Sequence, residues 1–340
     1  MRFTLTTFCG ILLLLWPMTT HADTVGSPIE IEPVPADNQN EEISGYFDLS
    51  VEPGQKQTIE LKVTNNTEEG LILRGETVNA YTHPTGGMLY GMDIDSERAL
   101  LLEDAVRLAD YMEIDEEISV PPNSSVNVPV DITVPDVEAG TLLGAINLTT
   151  EPTTQVEEAA EEDAANFVLN TETTYSVAVQ LNLPEEASTD FSLGEVGIIS
   201  NTAEVYMEMT NQAQMIQENI KGTYTVSDEA GNELFSGDIP TFKMAPKSGI
   251  QYVMPWEHES LEDGDYTLTI SGTAGTEQFA ATETFTIAND DVQAYAERNM
   301  PEVASPVNQG ISIWVWILAA AAFGIGMLFV GRKMSGSKSG

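Results

Sequence analysis

The sequence predicts an all-β protein in which two immunoglobulin-like β-sandwich domains in tandem precede one C-terminal transmembrane helix. Apolar and polar residues alternate in short runs, and turns rich in Gly, Pro and Asn separate those runs. The runs fill about two domains at the usual length of roughly 100 to 200 residues each. A stretch of 20 uncharged residues near the C-terminus would span about 30 Å as a helix, which is enough to cross a membrane.

Residues 1–22 are predicted to be a cleaved signal peptide. An apolar run from Phe8 to Trp16 follows a basic residue, and Ala22 ends a stretch that fits a cleavage site. An uncleaved anchor is the alternative, although the run is shorter than the roughly 20 residues of a membrane span. Cys9 is the only cysteine and leaves with this segment. The mature chain therefore has no disulfide, thiolate metal site or cysteine nucleophile.

The first domain is predicted to cover residues 27–184 and to open with a β-hairpin. The runs Phe47–Val51 and Ile59–Val63 alternate on either side of a turn at Pro53-Gly54. A third run, from Leu71 to Tyr81, continues the sheet. This pattern is typical of half-buried strands joined by tight turns.

The rest of the first domain is less regular. Apolar residues at helical spacing predict a short helix from Ser96 to Tyr111. Strands resume at Val126–Val134, and Thr141–Thr149 and Thr174–Leu183 are predicted to end the domain. The acidic run at 157–163 is interpreted as a solvated loop of a hairpin between the last two strands.

The second domain is predicted to cover residues 185–290. Seven short strands at this spacing favour an immunoglobulin-like sandwich. They are predicted at Phe191–Ile199, Ala203–Thr210, Ile220–Val226, Glu233–Phe235, Ile250–Met254, Tyr266–Ile270 and Ala280–Ile287. Trp256 is expected to pack in or beside this core, or alternatively to be an exposed anchor for a partner.

A membrane anchor is predicted at the C-terminus. Residues 291–310 form a linker, residues 311–331 the transmembrane helix and residues 332–340 a basic cytoplasmic tail. Trp314 and Trp316 would mark the outer interface, and the Arg and Lys residues of the tail the inner one. The protein is therefore expected to cross the cell membrane once, with both domains outside in the cell wall zone.

Acidic residues far outnumber basic ones in the chain. All 54 acidic residues but only 9 of the 13 basic ones lie between residue 23 and residue 310, so 9 minus 54 gives a formal charge of −45 there. A polyanion would have to approach against this field, which argues against nucleic acid as a ligand. Solubility in a salty or alkaline habitat and capture of cations or basic partners both remain as explanations of the acidity.

The sequence offers few combinations of residues that could support catalysis, and no cofactor is expected. His83 and His258 fall in different predicted domains without a Ser-containing elbow or a second metal-binding His nearby. The acidic pairs Glu116-Glu117 and Asp290-Asp291 could supply the two carboxylates of a glycosidase. Adjacent carboxylates are expected by chance in so acidic a chain, so we predict that the protein is not an enzyme.

One segment alternates oxygen ligands in the manner of a calcium loop. Asp93, Asp95 and Glu97 provide the carboxylates. The segment lacks the Gly at position 6 and the Glu at position 12 of an EF-hand loop, which favours a solvated loop. These residues are a weak metal-site candidate, and the fold is not expected to depend on calcium.

Several short motifs in succession resemble one family. They are Gly45-Tyr46-Phe47-Asp48-Leu49, Pro53-Gly54-Gln55, Asn65-Asn66-Thr67, the Gly86-Gly87 turn ahead of Tyr90, Met244-Ala245-Pro246-Lys247-Ser248 and Leu261-Glu262-Asp263-Gly264-Asp265-Tyr266. The first four resemble the peptidoglycan-binding domain of the WxL-interacting protein family of Gram-positive cell surfaces, and the last two resemble its host-binding domain. Phe279 stands where that family typically has a Trp before its last strand.

The resemblance implies a non-enzymatic scaffold or adhesion protein. Its expected partners are peptidoglycan, WxL-domain surface proteins and host extracellular-matrix proteins. Glycan binding is expected around Tyr46, Asp48, Asn65, Thr67 and Tyr90. Trp256 is the candidate for binding a protein partner. The alternatives are a wall-processing glycan hydrolase and a sensory receptor ectodomain.

Overall fold

The computed structural model describes residues 27–92, 94, 96, 98–157, 167–258 and 260–299. The predicted signal peptide at 1–22, the membrane helix at 311–331 and the tail at 332–340 lie outside the described residues, as do residues 158–163 of the acidic run. Of the helices in the described residues, none has the length and the apolar composition that a membrane span needs.

The first half of the chain contains thirteen described β-strands and one short 3-10 helix, at Leu108–Tyr111. The strands are β1 (Ile29–Val34), β2 (Phe47–Ser50), β3 (Lys56–Asn65), β4 (Leu71–Thr82), β5 (Met88–Gly91), β6 (Ala99–Leu101), β7 (Met112–Ile114), β8 (Glu117–Val120), β9 (Ser124–Thr133), β10 (Thr141–Thr150), β11 (Thr153–Glu157), β12 (Phe167–Thr171) and β13 (Thr174–Asn182).

Seven further strands and one helix follow. They are β14 (Phe191–Ile199), β15 (Glu204–Asn211), β16 (Gln217–Ser227), β17 (Glu233–Met244), β18 (Ser248–Pro255), β19 (Gly264–Ala274), β20 (Glu277–Ile287) and α1 (Asn289–Asn299). The regular secondary structure of the described chain is thus almost entirely β, as the strand patterns predict.

The first sandwich packs a four-stranded sheet on a six-stranded one. The four-stranded sheet has the order β1-β3-β9-β7. The six-stranded sheet has the order β2-β13-β10-β4-β5, with β8 also paired to β4. Alternate residues of both sheets fill one core, because side chains on a strand point to opposite faces in turn. Phe47, Leu49, Leu61, Val63 and Ile146 are among its most buried members.

The second sandwich packs the sheet β14-β15-β18-β6 on the sheet β17-β16-β19-β20. Its core mixes aromatic and aliphatic side chains with methionines, and Met207, Met209 and Met244 have no exposed surface. Methionine suits such a core since its flexible side chain fills irregular gaps between aromatic rings.

The helix predicted from Ser96 to Tyr111 is wrong for most of its length. The segment instead contains β6, a turn and the 3-10 helix at Leu108–Tyr111. Residues of β6 pair with Ser248–Ile250 of β18, so this segment of the first half of the chain completes a sheet of the second sandwich. Backbone hydrogen bonds to a distant strand therefore override the local helical period.

Candidate functional site

The two tyrosines of the predicted glycan-binding set lie near each other on the first sandwich. Phe47 and Leu49 of β2 enter the core, so Asp48 between them points to the opposite face of the six-stranded sheet. Tyr90 of β5 packs with Ala80 and Leu143 outside that core. We call this surface the outer sheet face and define it by Tyr46, Asp48, Ala80, Leu143 and Tyr90.

Both tyrosines of the outer sheet face are half-buried. Burial is the main cause that raises the pKa of Tyr90 to about 12, and the nearby phenol of Tyr46 adds to the shift. Tyr90 therefore stays neutral even in moderately alkaline solution. A neutral phenol offers an O–H donor, an acceptor oxygen and an apolar ring face, which together suit a sugar ring.

Asp48 is held inside a network of amide groups. It is 7% exposed, and its carboxylate accepts hydrogen bonds from Asn182 Nδ2 at 2.5 Å, Gln180 Nε2 at 3.0 Å and Asn40 Nδ2 at 2.9 Å. The backbone N–H of Asn40 also donates to Asp48 O. Asp48 thus joins β2, β13 and the loop before β2, and it fixes the backbone two residues beyond Tyr46.

Asn65 and Thr67 lie apart from the outer sheet face, since Asn65 ends β3 and Thr67 lies in the turn that follows. Asn65 is 1% exposed. Its Nδ2 donates to carbonyls of Glu69, Val120 and Pro121, while its Oδ1 accepts from the backbone and hydroxyl of Thr67. The Asn65 side chain therefore closes a turn of the first sandwich.

In the second sandwich, another buried Asn side chain closes a turn, at a residue that the sequence patterns did not single out. Asn211 ends β15 and is fully buried. Its Nδ2 donates to Met215 O and Ala245 O, both at 2.8 Å, and its Oδ1 accepts from Ala213 N at 3.1 Å. Asn65 and Asn211 have one sequence feature in common, since each is the last residue of a strand.

Trp256 packs against the second core as a half-buried side chain. Its ring meets Phe235 and Tyr266 edge to face, with centroids 5.2 Å apart in each pair. The indole N–H donates to Ser260 O at 2.9 Å. Much of the Trp256 ring is therefore in contact with residues of its own domain, and its role in partner binding stays a prediction.

An open cleft of about 950 Å³ lies at an edge of the first sandwich. Its lining includes Arg74 and six glutamates: Glu76, Glu113, Glu116, Glu117, Glu151 and Glu172. The acidic pair Glu116-Glu117 is therefore at a cleft. In the other acidic pair, Asp291 lies in α1 and accepts hydrogen bonds from Ser200 Oγ and from Ala288 N.

The histidines and the candidate calcium loop do not form a described site. His83 Nδ1 lies 2.8 Å from Thr85 Oγ1, and His258 Nδ1 lies 3.2 Å from Ser260 O, so each ring contacts its own turn. Asp93, Asp95 and Glu97 lie outside the described residues. Among the side chains that are described, no group of three His, Asp or Glu residues is placed to hold a metal ion.

A buried ring of hydrogen bonds joins the two sandwiches. Thr82 Oγ1 accepts from Ala245 N at 2.9 Å, and Ser248 Oγ donates to Ala245 O at 2.8 Å. The two hydroxyl oxygens lie 2.7 Å apart. Because the Ser248 proton is used on Ala245 O, Thr82 is the donor between them. The segment Met244–Ser248 therefore forms the domain junction.

Backbone groups of the first half of the chain also cover the outer edge of β18. Beyond the pairing with β6, Gln251 N donates to Arg98 O and Val253 N donates to Pro84 O, both at 3.1 Å. A strand edge covered in this way cannot pair with another chain. The Lys247 ammonium adds an ion pair with Asp104 at 2.6 Å.

Two family models match the chain in succession. The WxL-interacting protein peptidoglycan-binding domain matches residues 30–150, and the WxL-interacting protein host-binding domain matches residues 164–297. The chain belongs to the WxL-interacting protein family. This confirms the family resemblance and the order of its two domains. The second match begins before β12 and β13, although β13 pairs with β10 and β2 in the first sandwich.

A comparison with solved structures matches the chain to several that contain chaperones. Three of them are the class 5 fimbriae chaperone CfaA, the CupB2 chaperone of Pseudomonas aeruginosa, and the Salmonella enterica SafA pilin in complex with the SafB chaperone. Identities are 9%, 9% and 12%, and TM-scores are 0.30, 0.28 and 0.33. The matches cover 76%, 72% and 75% of this chain and 100%, 100% and 96% of those chains. Similarity at this level carries no functional conclusion. No curated protein matches the chain.

Proposed function

We propose that this protein is a non-enzymatic cell-surface scaffold that binds peptidoglycan through its first domain and a WxL-domain protein or a host matrix protein through its second. The observation that carries the proposal is the succession of the two family matches, one for a peptidoglycan-binding and one for a host-binding domain. In this proposal, residues 311–331 anchor the scaffold in the membrane.

We place the glycan-binding surface on the outer sheet face, with Tyr46 and Tyr90 as the residues that contact sugar. The support is their shared face, their half-buried rings and the neutral phenol of Tyr90. Asp48 supports this surface from within, through the hydrogen bonds that it accepts from Gln180 and Asn182 of β13. Asn65 and Thr67 act at a distance by closing the turn after β3.

A weak glycan hydrolase is the second candidate function. It is favoured by the cleft at the edge of the first sandwich, which places Glu116 and Glu117 among other glutamates. Two carboxylates flanking a glycosidic bond are what hydrolysis of a wall glycan requires. The two functions differ in what happens to the glycan, since a scaffold leaves it intact.

The test is incubation of the ectodomain, residues 23–310, with insoluble peptidoglycan, followed by centrifugation. The scaffold predicts that protein pellets with the wall material and that no soluble muropeptides appear. Release of fragments by the wild type, and its loss in Glu116→Gln and Glu117→Gln variants, would support the hydrolase instead. A protein that neither pellets nor releases fragments contradicts both functions.

A further inference from the structure

The strand that carries Tyr90 is held weakly by its own sheet. β5 has four residues, lies at the edge of the six-stranded sheet and pairs with β4. An edge strand of this length with one paired neighbour has little stability of its own. The position of Tyr90 therefore depends on whatever else contacts the β4–β5 hairpin.

The second domain supplies those contacts. Pro84 O accepts from Val253 N at 3.1 Å, and Gly87 N donates to Lys243 O at 3.3 Å. Gly86 lies against the ring of Phe242, where a Cβ would be 2.5 Å from Cγ. The turn of the hairpin is thus docked on β17 and β18.

The two ends of the hairpin are held in the same way. At the end of β4, Thr82 enters the buried ring of hydrogen bonds with Ala245 and Ser248. On β5, the side chain of Tyr90 packs against a small cluster that contains Ala245 of the second domain. The start and the turn of the hairpin therefore contact the second domain directly, and Tyr90 near its end packs against a cluster that includes a residue of that domain.

We propose that the glycan-binding surface is assembled by both domains, with Thr82 and Ser248 as positioning residues that set the place of Tyr90. This inference rests on the proposed function for the identity of the ligand. It departs from a modular arrangement in which the first domain binds peptidoglycan alone. An ectodomain whose junction is loosened should keep its two cores and lose the arrangement of Tyr46 and Tyr90.

The test compares Thr82→Val with Thr64→Val in the full ectodomain. Thr64 is the matched control because its hydroxyl contacts Ser125 Oγ at 2.9 Å within one sheet, away from the junction. Two quantities are measured: binding to insoluble peptidoglycan, and the rate at which tetranitromethane nitrates Tyr90 at pH 8, followed by mass spectrometry. Tetranitromethane reacts with the phenolate form of tyrosine. Exposure of Tyr90 to water would lower its pKa, and at pH 8 each unit of that fall makes nitration about tenfold faster.

In Thr82→Val, we expect Tyr90 to be nitrated about tenfold faster than in the wild type. We also expect this variant to bind peptidoglycan about tenfold more weakly, a loss of about 1.4 kcal/mol. Thr64→Val should match the wild type in both measurements. Unchanged nitration, or faster nitration with unchanged binding, overturns the proposal. If Thr82→Val fails to fold, Ser248→Ala is judged by the same two outcomes. A wild type that does not bind peptidoglycan refutes the proposed function instead, and the nitration rates then decide the positioning role of Thr82 alone.

Discussion

Thr82 of the first domain and Ser248 of the second share a buried hydrogen bond, with their hydroxyl oxygens 2.7 Å apart across 166 residues of sequence. Both side chains are fully buried. A hydroxyl removed from water is costly unless it is paired, so each domain satisfies a polar group of the other. The two sandwiches are therefore expected to unfold together.

Trp256 offers a direct measurement of that coupling. Of the four tryptophans, Trp16 lies in the predicted leader and two others lie in the predicted membrane helix, so Trp256 is the only one in residues 23–310. We expect urea unfolding followed by its fluorescence, which reports on the second core, to coincide with unfolding followed by far-ultraviolet circular dichroism. Two separated transitions would show that the domains are independent.

Gly86 and Gly87 provide a matched pair of substitutions at the junction. Both have positive φ, at 89° and 94°. A Cβ at Gly86 would lie 2.5 Å from the Phe242 ring, while one at Gly87 would meet nothing within 4 Å. Gly87→Ala should therefore lower the free energy of unfolding by about 1 to 2 kcal/mol through backbone strain alone, and Gly86→Ala by more. Equal losses in urea titrations would mean that the contact with Phe242 contributes nothing.

The turn asparagine predicted to bind glycan should act on stability instead. Asn65→Ala leaves a buried set of backbone groups without partners, so the free energy of unfolding should fall by about 1 to 3 kcal/mol or more. Binding to peptidoglycan should be unchanged in the folded fraction. Asn127→Ala is the control, since Asn127 makes an exposed hydrogen bond with Glu60. A variant of Asn65 with full stability and lost binding would restore it as a glycan contact.

The ion pair of Lys247 with Asp104 gives the junction a small dependence on pH. The hydrogen bond from Lys247 is the main cause that lowers the pKa of Asp104. A carboxyl group with a lowered pKa in the folded state adds stability above its ordinary pKa, and this is lost as the pH falls through the folded-state pKa. Asp104→Asn should therefore lower the melting temperature slightly at pH 7 and not at all in strong acid. A difference that persists unchanged in acid would contradict this cause.

Strands with regular alternation were predictable from sequence alone, and the strand predicted at Val126–Val134 is observed as β9, from Ser124 to Thr133. β17 was predicted to end at Phe235 but continues to Met244. Gly237 interrupted the pattern, yet it is needed there because a Cβ would lie 2.5 Å from the hydroxyl of Tyr224. β6 could not be predicted locally, since its partner is β18, far along the chain.

The candidate site was predictable only in part, for a chemical reason. Asp48, Asn65 and Thr67 carry the polar groups that bind sugars, and the same groups close turns and join strands. Sequence shows the side chains but not which hydrogen bonds they have already made. Tyr46 and Tyr90 differ, since the structure brings them onto one surface although Tyr46 directly precedes β2 and Tyr90 lies on β5, at opposite edges of the sheet. Asn211 was missed because one of its partners, Ala245, lies in the junction, 34 residues farther along the chain.

Glycan binding at the outer sheet face is tested most directly by co-sedimentation of the ectodomain with insoluble peptidoglycan, for the wild type, Tyr46→Ser and Tyr111→Ser. Tyr111 is the matched control, as an exposed tyrosine outside the outer sheet face. We expect the wild type and Tyr111→Ser to pellet alike and Tyr46→Ser to bind about tenfold more weakly, a loss of about 1.4 kcal/mol. A wild type that stays in the supernatant, or a Tyr46→Ser variant that folds and pellets fully, would contradict glycan binding by the outer sheet face.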